Sequence, residues 1–242
     1  MRMDTRLWLF LFLASMFVTS LVVGNLIGGK IFFAEVASSH FDITSGMVLF
    51  PVTFLLTDIL NEFYGKRAAR AVTMAAFCSA LFAMVGIAVA AALPWAAFTK
   101  GADWKGVNES SFNNVFTGSQ RIFAASLTAY LIGQLLDIAV FTALKKRTRN
   151  RLLWLRATGS TVASQCIDTF VVDLLAFYGI MPLGTILRIV ANAYAVKLAL
   201  AIGLTPIIYA GHALLERGLG LAPVTLGEDG EPISEIGPAR AA

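Results

Sequence analysis

Seven charged side chains sit inside otherwise apolar stretches of this sequence: Asp58, Glu62, Asp137, Asp168, Asp173, Arg188 and Lys197. At the middle of a bilayer each would cost at least about 2.5–3.5 kcal/mol, so such groups face a protein interior, pair with one another or line a water-filled path. Five acids here meet two bases. The surplus carboxylates must be protonated, be hydrated, or hold something that donates hydrogen bonds.

Helical spacing gathers these groups. Ser160, Ser164 and Asp168 recur every four residues, and Thr161, Gln165 and Thr169 form the adjacent row, a polar stripe on an apolar helix. Ser126, Tyr130, Gly133, Gln134 and Asp137 repeat the pattern upstream. Asp58 and Glu62 are i, i+4 neighbours whose charges repel. Asn25 rides on the small-residue face of Gly24, Gly28 and Gly29. Four polar faces of this kind suggest a solvated or ligand-lined centre.

Each feature also has a plainer reading. Glu62 stands four residues before Lys66, the favourable order for a helical ion pair, and is then a helix-end anchor. Asp168 and Lys197 fall at similar depth, where a static pair accounts for them as well as a site does. Asp173 and Arg188 read as a structural pair nearer the outer face. Gln134 and Asn25 serve equally as interhelical hydrogen-bond glue. Pro51 marks a kink in its span, while His40 and His212, at span edges, receive no role.

Enzyme motifs are absent: there is no H-E-x-x-H, no G-x-S-x-G and no P-loop. Two His residues outside the centres of the spans support neither a Ser-His pair nor a metal site. An intramembrane aspartyl enzyme would need two carboxylates brought together, which Asp58 with Asp137 or Asp168 could supply, but no spacing specifically supports it. No cofactor is expected.

The elements that must position these residues follow from composition. Of 242 residues 57% are hydrophobic and only 14% charged, with a mean hydropathy of +0.75. Soluble domains carry about 25% charge, and the apolar blocks here have the roughly 20-residue length that crosses a bilayer. A soluble enzyme, a disordered chain and a nucleic-acid-binding domain are excluded, and the pI of about 9.2 reflects cations beside the spans. The expected fold is an all-α integral membrane protein of six transmembrane helices, at about 7–28, 44–64, 71–93, 120–144, 158–180 and 184–211.

Lys66, Arg67 and Arg70 mark the second connector, and Lys145, Lys146, Arg147, Arg149, Arg151 and Arg156 the fourth, which places both termini in the cytoplasm. The first span is longer than a signal-peptide core and no A-x-A-like site follows it, so it is expected to be retained. Cys78 and Cys166 read as small core residues. The third connector carries Trp95, Phe98, Trp104, Phe112 and Phe116, either an interfacial belt or the cap of a site. A transmembrane domain over 1–217 is followed by a tail, 218–242, with nothing to bury, expected to be disordered. Phe63-Tyr64-Gly65 and Phe177-Tyr178-Gly179 hint at an inverted three-plus-three repeat.

At these same residues the chain resembles a known family. The run FPVTFLLTDILNEFYG from Phe50 to Gly65, RIFAAS from Arg121 leading into GQLLD at Gly133–Asp137, SQCIDT at Ser164–Thr169, and Lys197 after Asn192 are similar, in order, to motifs of the vitamin-uptake-transporter-like family of queuosine precursor transporters. The resemblance runs from about residue 8 to 211. It implies uptake of 7-cyano-7-deazaguanine or its 7-aminomethyl relative across the bacterial inner membrane. It also implies a fold like the substrate-binding subunits of energy-coupling-factor vitamin transporters, acting without the ATPase module.

The two readings agree on chemistry. A deazaguanine presents a ring N–H beside an exocyclic amine, and a carboxylate can accept from both. Asn25, Asp58, Glu62, Gln134, Asp137, Gln165, Asp168 and Lys197 are therefore the candidate binding residues for a small planar nitrogenous solute. The competing classes are a vitamin-binding subunit of an ATP-driven system, an intramembrane enzyme and a lipid-binding structural protein. Proton coupling and facilitated diffusion both remain open as driving forces. The glycine face of the first span leans slightly towards a homodimer.

Overall fold

The structure, a computed structural model, describes residues 4–36, 39–101, 103–117, 120–148 and 152–224. Helix α1 (Thr5–Ile27) leads into an antiparallel hairpin of β1 (Ile31–Val36) and β2 (Ser39–Thr44), with Ile31 opposite Thr44. Strands were not expected here. They form because the connector is rich in aromatic and β-branched residues, which favour extended pairing even in short runs.

Helix α2 (Phe50–Ala92) merges the second and third expected spans. Its interior is broken at Gly65, whose φ of 80° and ψ of 171° only glycine adopts at low cost. The cations Lys66, Arg67 and Arg70 therefore lie on the second arm of a kinked helix and not in a loop. Pro51 is in the first turn of α2, where its missing N–H and fixed φ are tolerated, so the kink expected there is found at Gly65 instead.

After the short α3 (Glu109–Phe112) come α4 (Gln120–Arg147), α5 (Leu153–Phe177), α6 (Leu183–Gly203) and α7 (Thr205–Ala213). α5 begins earlier than expected and takes Arg156 out of the connector into the helix. The sixth expected helix is divided at Leu204, with Pro206 in the first turn of α7. Both Phe-Tyr-Gly triplets end on a glycine with positive φ, 80° at Gly65 and 82° at Gly179, so the hinted repeat shares backbone geometry as well as letters.

α4 packs along α5, α1 along α2, α6 on α5, and α4 on α2. Leu9, Leu13, Phe17 and Leu21 of α1, spaced every four residues, close on Leu56, Leu60, Phe63 and Tyr64 of α2 and on Leu127, Tyr130 and Ile138 of α4. Gly24 is used within the chain: a Cβ at Gly46 would meet its carbonyl oxygen at 2.7 Å. Outer faces carry large apolar side chains such as Trp8, Leu11, Phe82 and Val89, an inside-out pattern suited to lipid. Among the described residues five helical stretches are long and apolar enough to cross a membrane, one of them spanning the break at Gly65. The protein is membrane-embedded.

Two further expectations are corrected. Cys78 and Cys166 face outward rather than into the core. The segment after Glu216 does have something to bury: Leu221 and Val224 are 2% and 6% exposed, and the Val224 N–H donates to the Glu62 carbonyl at 2.9 Å. The rest of the expected disordered tail, 225–242, lies outside the described residues. The aromatic connector packs on itself, with Trp95 against Phe112, Phe98 against Trp104, and Phe98 largely exposed.

Candidate functional site

The polar stripes converge where α2, α4 and α5 meet. α2 turns Thr57, Asp58, Asn61 and Glu62 inward, each at most 3% exposed. α4 brings Gln134 and Asp137, and α5 brings Ser160, Thr161, Ser164, Gln165 and Thr169, all buried. The Thr57 hydroxyl lies 3.4 Å from Gln134 Oε1, and Asn61 Nδ2 donates to the Ile138 carbonyl at 3.4 Å, fixing α2 to α4. Ser164 Oγ donates to Asp137 Oδ1 at 3.1 Å across α4 and α5. Gly133 lets α5 approach, since a Cβ there would stand 3.0 Å from Asp168 Cβ.

The acids brought together have three different fates. Glu62 is held by Arg156, with Nη2 to Oε1 at 2.6 Å and Nε to Oε2 at 3.1 Å, a bidentate charge-assisted pair. Lys145 Nζ stands 3.1 Å from Oε2 of the same carboxylate and donates to the Glu62 carbonyl at 3.0 Å. His212 Nε2 is 3.8 Å from Oε1 and its Nδ1 is 3.4 Å from Glu216. The expected Glu62–Lys66 pair does not form, because the break at Gly65 destroys the i, i+4 register between them.

Asp168 is matched singly. Lys197 Nζ donates to Oδ2 at 2.7 Å and lies 5.2 Å above the Phe50 ring. The expected Asp173–Arg188 pair is not made: Arg188 is exposed on α6, and Asp173 Oδ2 is buried without a hydrogen-bond partner.

Asp58 and Asp137 are matched by no cation. Among the described residues, both oxygens of Asp58 and Oδ2 of Asp137 are buried and unpartnered, as are Gln165 Oε1 and Thr169 Oγ1. Nearly all of these orphan atoms are pure acceptors, so the centre is one that demands donors. A small pocket opens beside Asp58 between Phe50 and Phe54 of α2, Thr158 and Thr161 of α5, and Ile208 of α7. The Phe50 and Phe54 rings are 4.4 Å apart, an aromatic wall beside a carboxylate.

Asn25 is placed elsewhere. Its Oδ1 accepts from Ser126 Oγ at 3.0 Å and its Nδ2 donates to the Leu21 carbonyl at 2.9 Å, joining α1 to α4. Ser126 is eight residues, about 12 Å along the helix, from Gln134. Among the described residues no group of three or more His, Cys, Asp or Glu side chains is arranged to hold a metal ion.

The residues that sequence reasoning missed are Lys145, Arg156 and His212. The two cations were assigned wholly to connector charge. The available signal was register: Arg156 extends the row of Ser160, Ser164 and Asp168 by one turn, and Lys145 extends Asp137 and Phe141 likewise.

Residues 44–211 match the family described as putative vitamin uptake transporters. The chain is 32% identical over 176 residues to a probable queuosine precursor transporter of Bacillus subtilis, covering 71% of this chain and 72% of that one. It is 33% identical over 138 residues to the queuosine precursor transporter of Escherichia coli, covering 57% of each. A probable queuosine precursor transporter of Haemophilus influenzae is 31% identical over 138 residues, covering 57% of this chain and 53% of that one. No solved structure matches. With the match running through every helix that contributes to the buried polar centre, the chain belongs to the family of putative vitamin uptake transporters.

Proposed function

We propose that this protein imports a queuosine precursor, a 7-deazaguanine such as 7-cyano-7-deazaguanine or its 7-aminomethyl relative, across the bacterial inner membrane. The observation that carries the reading is the cluster of buried acceptors without donors around Asp58. A deazaguanine supplies what they lack: its ring N–H and exocyclic amine reach Asp58 together, its carbonyl meets an amide, and its flat face stacks on Phe50 and Phe54. Gln165 and Gln134 are the buried glutamine amides of this layer, Asn61 being bonded to the Ile138 carbonyl, and Lys197, steered by Asp168, lies over the same Phe50 ring. The names of the three relatives support this substrate class.

In this reading the two arms of α2 cross separately, so that six spans leave both termini in the cytoplasm beside the Lys- and Arg-rich connectors. Alternating access then moves the solute past a fixed central site. Thermal unfolding of the detergent-purified full chain tests the substrate class against a panel of both deazaguanines, guanine, biotin and riboflavin. A ligand at a hundred times its dissociation constant raises apparent stability by about 2.7 kcal/mol. Stabilisation by a deazaguanine alone is the expected outcome. A response to a vitamin alone moves the protein to the binding subunit of an ATP-driven system.

A further inference from the structure

The solute-binding reading accounts for Asp58 but leaves Asp137, buried one helix away, with an oxygen that nothing satisfies. We infer that the Asp58–Asp137 pair carries one dissociable proton that crosses the membrane together with the solute, so that the transporter is proton-driven. This rests on the proposed transport function and adds its energy source.

The argument is one of charge and position. Around the pair, α2 presents Glu62, α4 presents Lys145, α5 presents Arg156, Asp168, Asp173 and the hydroxyls of Ser160 and Ser164, α6 presents Lys197 and α7 presents His212. Every basic group in that list is engaged elsewhere: Lys145, Arg156 and His212 on Glu62, Lys197 on Asp168. Asp58 and Asp137 are therefore left facing one another with no base on either, and one shared proton removes the repulsion between them. Two neighbouring carboxylates sealed from water do not both stay ionised, and an isolated buried charge is neutralised rather than left bare. The contacts of Thr57 with Gln134 and of Asn61 with Ile138 flank the pair on either side and hold it in one layer.

The hydrogen bonds say where the proton goes. Asp137 Oδ1 already accepts from Ser164, and its Oδ2 is free to carry a hydrogen. Both oxygens of Asp58 are then acceptors for the solute N–H groups. The proton stays on Asp137 while Asp58 is occupied; both loads leave when the site opens on the inner side, and water entering the emptied site solvates the two carboxylates so that the carrier returns without the proton. One turn along α2, the Glu62 carboxylate is held by Arg156 and Lys145 and its carbonyl by the Val224 N–H, so Glu62 is not the acid that carries the proton.

The full chain in proteoliposomes tests this, with labelled 7-cyano-7-deazaguanine as probe and the membrane potential clamped. A neutral solute moving with one proton accumulates about tenfold inside against a one-unit inward pH gradient. An internal pH dye should record one proton entering for each solute. Asp137→Asn should abolish the response to the gradient, and accumulation by this variant equal to the wild type would overturn the assignment. So would exchange of labelled for unlabelled solute that continues in the wild type with no response to the pH gradient, or accumulation driven by a sodium gradient instead. In either case transport itself stands. If the wild type shows neither uptake nor exchange under any condition, the transport reading fails and the coupling fails with it. Should Asp137→Asn not fold, the wild-type dye measurement decides alone.

Discussion

Glu62 and Asp58 are one helical turn apart on α2, equally buried and of the same chemical class, yet their surroundings are opposite. Glu62 accepts from two cations on two other helices, and its carbonyl receives Lys145 and the returning chain at Val224. Asp58 has no partner on either oxygen. The contrast separates a carboxylate that builds the bundle from one that waits for something. A buried acid in a membrane protein is thus not by itself evidence of a site. What its oxygens lack is.

Replacement of each acid by its amide breaks or upholds that contrast. Glu62→Gln should be the most damaging change, because it leaves Arg156 and Lys145 buried without a counter-charge, at about 3–5 kcal/mol. The purified protein should melt far lower, and an unchanged melting temperature would remove the structural role given to Glu62. Asp58→Asn should do the reverse. It removes a charge that nothing pairs, so stability holds or rises, while uptake of the deazaguanine is lost. If instead Asp58→Asn melts as low as Glu62→Gln, the two acids are not different in kind.

Two smaller changes sharpen the comparison. Gly65→Ala forces a residue with a Cβ into a φ of 80° three positions after Glu62, a cost of about 1–2 kcal/mol. A loss of that size on thermal unfolding confirms that the break seats the Glu62 cluster; no loss would mean that the arms can re-form a straight helix. Lys66→Gln should change stability by no more than about 0.5 kcal/mol, since Lys66 lies beyond the break and outside the Glu62 cluster. A larger loss would restore the helical Glu62–Lys66 pair that the register excludes.

Much of this was legible in the residues themselves. The polar rows at Ser160, Ser164 and Asp168 and at Thr161, Gln165 and Thr169 lie inward as periodicity requires, and Asp168 meets Lys197. The partners of Glu62 were not legible. Lys145 and Arg156 carry the same letters as the cations that orient a chain in the membrane, and only the extension of α5 back to Leu153 brings Arg156 inside. The glycine at 65 was visible as a letter, but whether it ends a helix or merely bends one depends on the φ it is given by the packing of the arms around it.

The sequence by itself determined that the chain is membrane-embedded, where its apolar faces lie and which polar rows turn inward, because hydropathy and the 3.6-residue period act locally and need no knowledge of neighbours. The tertiary structure alone decided which of the buried acids are neutralised. Pairing requires side chains about a hundred residues apart, such as Glu62 and Arg156, to meet within hydrogen-bonding distance, and that is settled only when the helices pack.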